Sequence, residues 1–149
     1  MLFKHLNQGA HSLSGLNARH VDSLGHFMGI TFTAIGPDFI MGEMPVDERT
    51  RQPYGLLHGG ASIVLAETLG STGSGLLVDF DESTRIMGVE VSGSHVRGVS
   101  SGKVTGICKA LKLGRNMHFW QIDVRDQEWR LCCAARLTVF VNRPAAGGS

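Results

Sequence analysis

The stretch from His58 to about Phe80 is the single long helix candidate in this chain, and nearly every residue in it is apolar or small. A helix that is apolar on almost all faces has to be covered by other elements. Small residues recur along it at steps of three and four, which forms one stripe: Gly59, Ser62, Ala66, Gly70 and Gly73. We therefore expect a central helix that a sheet approaches closely along this stripe.

Strand-like segments precede and follow the helix in the sequence. Residues 29–35 and 39–46 surround a turn at 36–38, and they predict a hairpin before the helix. Four strand-like segments follow the helix, at about 85–97, 102–112, 117–126 and 130–141. Consecutive strands with short connections form antiparallel sheets. The order predicts an α+β fold in which a strongly curved antiparallel sheet wraps around one long central helix.

Length and charge limit the domain count and the kinds of partner. The 149 residues suit one domain, with an N-terminal helical segment at 1–24 and a flexible tail at 142–149. A net charge of +1 gives no strong attraction to nucleic acid or to an anionic membrane. Because no apolar run is long enough for a membrane span and no signal segment is evident, we expect a cytoplasmic protein. Its cysteines are odd in number, lack metal-ligand spacing and are expected to be reduced: Cys108, Cys132 and Cys133.

The helix begins with His58-Gly59-Gly60, directly after Gln52 and a short loop. The first backbone N–H groups of a helix have no partners within it, and glycine lets another group approach them closely. Together with the helix dipole, these groups favour a developing negative oxygen, which indicates an oxyanion site. The alternative is that Gly-Gly only makes a tight entry into the helix.

Glu67 is a carboxylate in the middle of this apolar helix. Most glutamates on helices are solvated, and that remains the simplest alternative. However, the apolar neighbours predict burial, and a buried carboxylate marks a functional site. Glu67 lies eight residues beyond Gly59, or roughly 12 Å along the helix axis. One reacting carbon cannot contact both, so a site that uses both requires two copies of the chain.

Three segments carry a family resemblance: MPVDERTRQPYGLLHGGASIVLAETLGS, VEVSGSHVR and LCCAARLTVF. They resemble the hotdog-fold acyl-CoA thioesterases over roughly residues 25–141. The nearest branch contains the menaquinone-pathway 1,4-dihydroxy-2-naphthoyl-CoA thioesterases, with the Arthrobacter-type 4-hydroxybenzoyl-CoA and phenylacetate-pathway enzymes as kin. The spacing in QPxGxLHGGxxxxLAExxGS is specific to this family.

The resemblance implies roles for individual residues. Glu67 matches the catalytic carboxylate, as nucleophile or as general base, and the Gly59 N–H matches the donor to the thioester oxygen. His58 and Gln52 match flanking polar residues, with Gln52 orienting water or the carbonyl. Ser71 matches a hydroxyl one turn after the carboxylate. Hydrolysis of an aromatic or medium-chain acyl-CoA is implied, without metal or redox cofactor, in a homotetramer built from two dimers.

Substrate binding is expected to involve several further residues: Gly60, His95, Arg97 and Arg115. His95 matches a position that lines the acyl pocket, although a histidine on a strand is as often structural. Arg97 and Arg115 are candidates for coenzyme A phosphates, because guanidinium groups bind phosphates well. A metal at His58 is disfavoured, since no second ligand stands at the right spacing. The remaining N-terminal histidines are expected on the surface: His5, His11, His20 and His26.

Two other functions stay open at this point. A hotdog domain can bind or sense an acyl-CoA without turning it over, and the intact Gln-His-Gly-Glu set argues against this. A hotdog hydratase acting on acyl thioesters is the second alternative, since His58 stands at the start of the helix. The position of Glu67 favours the thioesterase.

Overall fold

A computed structural model describes Phe3 and residues 11–144. The elements in chain order are α1 (Leu13–Arg19), α2 (Leu24–Phe27), β1 (Thr31–Ile35), β2 (Phe39–Pro45), α3 (Gly59–Leu77), β3 (Arg85–His95), β4 (Lys103–Leu113), β5 (Met117–Arg125) and β6 (Leu131–Asn142). Among these residues, no helix combines the length and apolar character required to cross a membrane. The predicted order of two strands, one long helix and four strands is confirmed.

The six strands form one antiparallel sheet in the order β1-β2-β4-β5-β6-β3. The chain thus crosses from β2 through α3 to the far edge of the sheet, where β3 pairs with β6. The core lies between α3 and the inner face of the sheet, with Leu65 and Leu69 of the helix and Trp120 and Leu137 of the strands fully buried. This is the hotdog architecture that the sequence predicts.

The stripe of small residues brings α3 close to β5 and β6, as expected. A Cβ atom at Gly73 would stand 2.8 Å from Cη2 of Trp120, and a Cβ at Gly70 would stand 2.5 Å from Cδ2 of Leu137. The indole Nε1 of Trp120 donates to Ser74 Oγ at 2.9 Å, which satisfies a buried polar group. The glycines are therefore required where the large side chains of the sheet cross the helix.

The opposite side of α3 corrects one expectation. Its residues are only partly buried, and they recur at steps of three and four: Ile63, Val64, Glu67, Thr68 and Ser71. The prediction that the helix is buried nearly all round is wrong for the single chain. The sheet covers one side of the helix, and the short helix α2 contacts the other side only in part, with Gly25 packed near Thr68.

The ends of several elements differ from the sequence prediction. Helix α3 stops at Leu77 because Asp79 and Phe80 have φ angles of 53° and 50°, in the left-handed region. The N-terminal helical segment extends past residue 24, to Phe27. Asn142 belongs to β6 and not to the predicted tail, of which residues 145–149 lie outside the described part of the chain.

Candidate active site

His58 is the N-cap of α3. Its Nδ1 accepts a hydrogen bond from the backbone N–H of Gly60 at 2.8 Å, and its carbonyl accepts from Ala61 N at 2.9 Å. The imidazole therefore has the capping role that a Ser or Asp side chain usually has at the N-cap position. Among the described residues, the N–H of Gly59 has no hydrogen-bond partner. Of the two glycines at the helix start, Gly59 thus keeps a free donor and Gly60 does not.

A cavity of about 410 Å³, which we call the Gly59 cavity, brings together four of the predicted site residues. They are Gln52, Gly59, His95 and Arg97. A Cβ at Gly59 would stand only 2.7 Å from Nε2 of His95, so the ring lies directly against the helix start. The close contact explains why this position has no side chain.

Gln52 and Arg97 present polar groups to the Gly59 cavity. The Gln52 Oε1 accepts from the backbone N–H of Tyr54, which leaves the side-chain NH₂ as a donor. Arg97 is exposed at the end of β3 and makes no ion pair with any described residue. Cys132 also lines this cavity at an irregularity in the β5–β6 pairing, and burial raises the pKa of its thiol. The sequence analysis did not assign Cys132 to the site.

Glu67 and Ser71 line a different cavity of about 630 Å³, the Glu67 cavity. A Cβ at Gly88 would overlap Oε1 of Glu67, so the carboxylate lies against the backbone of β3. The neighbouring walls come from α2, from α3 and from the segment that leads into β3. In a single chain, Glu67 and Gly59 therefore do not share a cavity.

Arg115 lines neither cavity. It lies in the turn between β4 and β5, where its carbonyl accepts from Nε of Arg143 at 3.3 Å. That turn meets β6 at Val141, whereas Arg97 meets β6 at Cys132. Arg115 and Arg97 therefore stand at opposite ends of the sheet, and one chain does not bring them together.

His20 is a cavity residue that the sequence analysis placed on the surface. It is half-buried, and its Nε2 lies 3.2 Å from Oγ1 of Thr72 within the Glu67 cavity. Burial and the neighbouring charge of Arg19 lower the pKa of this imidazole. No local signal in the sequence could have found it, because its partner is 52 residues away in the chain. His26 is exposed as expected, and His5 lies outside the described residues.

Comparison with known proteins identifies the family of this chain. The family model for the Thioesterase superfamily matches residues 54–133. Over 130 residues the chain is 44% identical to 1,4-dihydroxy-2-naphthoyl-CoA hydrolase of Escherichia coli K12, with 87% of this chain and 94% of that protein covered. It is 48% identical to proofreading thioesterase EntH of Cronobacter turicensis, with 87% and 93% covered.

A solved structure supports the same assignment. The crystal structure of thioesterase HI1161 from Haemophilus influenzae superimposes with a TM-score of 0.88 at 41% identity, and all of both chains is covered. The matched range, residues 54–133, contains Gly59 and Glu67. The chain belongs to the Thioesterase superfamily, and it is a thioester hydrolase.

Proposed function

We propose that the protein hydrolyses aromatic or medium-chain acyl-CoA thioesters at a site formed by two copies of the chain. The Glu67 carboxylate of one copy acts together with the Gly59 N–H of the other. The observation that carries this proposal is the separation of the two groups, which lie on one helix but line different cavities. The relative named as a 1,4-dihydroxy-2-naphthoyl-CoA hydrolase supports an aromatic acyl group.

The edge strand β3 supports the two-copy arrangement. Among the described strands it pairs only with β6, and its other edge is open over 11 residues. Met87 and Val89 on this strand are 42% and 55% exposed. A long open edge with apolar side chains is a surface that another strand can pair with. We therefore assign this edge to a second copy.

Strand β3 also connects the two halves of the site. Near one end, Gly88 contacts Glu67, and at the other end His95 contacts Gly59. Antiparallel pairing of two β3 strands about a twofold axis near Val91 and Ser92 sets residue 88 of one copy opposite residue 95 of the other. The carboxylate of one chain then faces the helix start of its partner, as the reaction requires.

The proposed chemistry follows from the groups at this junction. The Gly59 N–H and the dipole of α3 stabilise the negative charge that develops on the thioester oxygen. Glu67 takes a proton from water while the water oxygen attacks the carbonyl carbon, and the C–S bond then breaks to release the thiol. Alternatively, Glu67 attacks the carbon itself, the C–S bond breaks and the thiolate leaves, and water then cleaves the mixed anhydride that has formed. Gln52 orients water or the carbonyl, and Ser71 supplies a hydroxyl beside the carboxylate.

The coenzyme A part of the substrate is assigned to the Gly59 cavity. Arg97 borders this cavity with its guanidinium free of ion pairs to the described residues, so it can meet a phosphate. Arg115 remains a candidate only for a phosphate that reaches the other end of the sheet. Pairing of two such dimers into a tetramer, and a cytoplasmic location, remain part of this proposal.

The first test is release of free thiol from benzoyl-, 4-hydroxybenzoyl-, hydroxynaphthoyl-, hexanoyl- and lauroyl-CoA. We expect Glu67→Gln to lower kcat by at least about 10²-fold, as loss of a base or nucleophile does, with an unchanged unfolding midpoint. The matched control is Glu48→Gln, an exposed carboxylate that lines neither cavity. Equal turnover by Glu67→Gln and the parent would refute the role of Glu67. Binding without turnover by both would favour the sensing module.

The two-copy site is tested by mixing inactive variants. Glu67→Ala removes the carboxylate, and Gly59→Val places a side chain where His95 packs. In a mixture refolded together, half of the dimers contain both chains, and each of these has one intact site. Activity then returns to about a quarter of the parent value, because the intact site draws its two groups from different chains. No recovery in dimers shown to be mixed would contradict the shared site.

A further inference from the structure

We infer that His20 and Thr72 form a polar contact that selects acyl groups bearing a hydroxyl on an aromatic ring. This inference rests on the proposed function and names a determinant of its substrate class. His20 Nε2 and Thr72 Oγ1 are 3.2 Å apart, and both residues line the Glu67 cavity. Thr72 is only 5% exposed, so the pair belongs to the interior of the cavity.

The pair lies further along α3 than Glu67 and lines the same cavity. Thr72 is five residues beyond Glu67, which is about 7.5 Å along the helix axis. An aromatic ring with a hydroxyl on its far side, together with one hydrogen bond of about 3 Å, spans this axial distance. When the thioester carbon lies beside Glu67, we therefore expect the hydroxyl to reach His20 and Thr72.

The surroundings of the pair make a hydroxyl the group that fits. The cavity walls include the apolar side chains of Leu24, Val64, Val78, Phe80 and Ile86. Apart from the half-buried Glu67, the charged residues that border the cavity are exposed to solvent: Arg19, Asp81, Glu82 and Arg85. A hydroxyl that leaves water among apolar walls needs a hydrogen-bond partner. Imidazole and threonine hydroxyl can each donate or accept, so a ring hydroxyl can bond to both.

His20 is held in place by its own packing. Its ring is tilted against Phe32 with centroids 4.8 Å apart, and the guanidinium of the adjacent Arg19 lies 4.0 Å from the centroid of Phe80. The residue follows α1, in a part of the chain that precedes the Thioesterase superfamily match at 54–133. His20 is therefore contributed by a segment that lies outside the part of the chain matched by the family model.

The expected preference for substrates with a ring hydroxyl over substrates without one is modest. In the empty cavity His20 and Thr72 bond to each other, so a substrate without the hydroxyl leaves neither group unpaired. The preference then reflects the net value of one or two neutral hydrogen bonds, which is about three- to tenfold in kcat/KM.

The test compares kcat/KM for 4-hydroxybenzoyl-CoA with kcat/KM for benzoyl-CoA. We expect a ratio of about three to ten for the parent, and a ratio near one for both His20→Phe and Thr72→Val. The double variant should show no further loss, because the two residues act on one hydroxyl. The matched control is His26→Phe on the same segment, which is exposed, lies outside the cavity lining and should keep the parent ratio.

Other outcomes separate this inference from the proposed function. Hydrolysis of both esters with the same ratio in the parent, His20→Phe and Thr72→Val overturns the selective contact and leaves the thioesterase proposal standing. If the parent hydrolyses neither these two esters nor the other acyl-CoA thioesters of the first test, that proposal fails. The ratio of Kd values for the same two esters, measured by calorimetry, then decides the inference, and it is overturned if the substitutions leave that ratio unchanged.

Discussion

At the scale of single residues, two polar side chains of the proposed site each pack against a glycine. Glu67 has its carboxylate against Gly88, and His95 has its ring against Gly59. Each glycine leaves space for a polar side chain at the proposed site. Substitution of such a glycine should affect turnover more than folding, because the group that must move is the flexible end of a side chain.

Gly88→Ala tests this directly. The added methyl occupies the position of Glu67 Oε1 and forces the carboxylate to another rotamer. We expect kcat to fall by about tenfold or more, since small misplacements of a catalytic group are costly. The free energy of unfolding should change by less than about 1 kcal/mol, as a substitution outside the packed core does. Parent-like turnover would show that the carboxylate position is not critical.

His58 gives a second prediction at this scale. Because its Nδ1 caps α3, His58→Ala should lower the free energy of unfolding by about 1 kcal/mol. His58→Asn supplies another capping side chain and should restore most of that loss. Urea unfolding of the three proteins measures both effects. If His58→Ala lowers turnover and leaves stability unchanged, the cap is not the main role of this residue.

At the scale of elements, the contact between α3 and β5 governs the core. Trp120 crosses the helix at Gly73, and its indole N–H is satisfied by Ser74. The Ser74 hydroxyl also lies 3.0 Å from Nδ1 of His118 on the same strand. The helix and the strand are therefore joined by tight packing and by one buried hydrogen-bond network centred on the Ser74 hydroxyl.

Gly73→Ala measures the packing. Alanine favours a helix over glycine by up to about 1 kcal/mol, but the new methyl would overlap the Trp120 ring, and overpacking typically costs about 1–3 kcal/mol. We expect a net loss of about 1 kcal/mol in the free energy of unfolding, measured in urea. In a Trp120→Phe background the smaller ring makes room, and the same substitution should be neutral or stabilising. A loss that is equal in both backgrounds would contradict the clash.

His118 makes the stability of this contact depend on pH. Burial, with a smaller effect from the charge of Arg143, lowers the pKa of His118 below its ordinary value of 6.5. In the unfolded chain the imidazole binds a proton more readily, so the contribution of neutral His118 is complete above pH 6.5 and is lost as the pH falls below it. His20 acts in the same direction.

We therefore expect the urea midpoint of the parent to fall more between pH 7.5 and 5.5 than that of His118→Gln. Glutamine keeps a polar group near Ser74 and does not titrate. Because His20 is present in both proteins, the difference between the two pH profiles belongs to His118. Parallel profiles would show that His118 binds protons equally well in the folded and unfolded chains.

At the scale of the whole molecule, the described part of a single copy leaves the outer edge of β3 and one face of α3 partly open. The open edge of β3 and the partly exposed residues of α3, Ile63 and Glu67 among them, stand on the side where the proposed site needs a partner. In the proposed dimer, pairing of two copies would cover both surfaces and complete the site. Activity and assembly should therefore be lost together.

Ser92→Glu tests that link, because residue 92 lies close to the proposed twofold axis and is exposed in the single chain. Like charges from the two copies would then face each other. Sedimentation should show a smaller assembly than the parent, and thiol release should fall in proportion to the lost dimer. Ser83→Glu, which is exposed but lies outside β3, is the control. A monomeric Ser92→Glu protein with parent activity would refute the shared site.

Much of the fold could be predicted because its signals are local. The strands follow from alternation, and the place where α3 meets the sheet follows from small residues at helical spacing, as Gly70 and Gly73 confirm. The ends of the helices could not be predicted to the residue. Helix α3 ends at Leu77 because the residues that follow it have positive φ angles. The family motif indicated Gln52, Gly59 and His95, which the structure brings together in one cavity.

The element order, the α+β class and the thioesterase family follow from the amino-acid sequence alone, because periodicity and motif spacing are properties of short segments. Three features of the site are visible only after folding: His58 caps its helix through the imidazole, Glu67 and Gly59 line separate cavities, and His20 meets Thr72 across 52 residues. These features depend on how distant segments pack. Packing distances are set by the whole core, and no local pattern of residues encodes them.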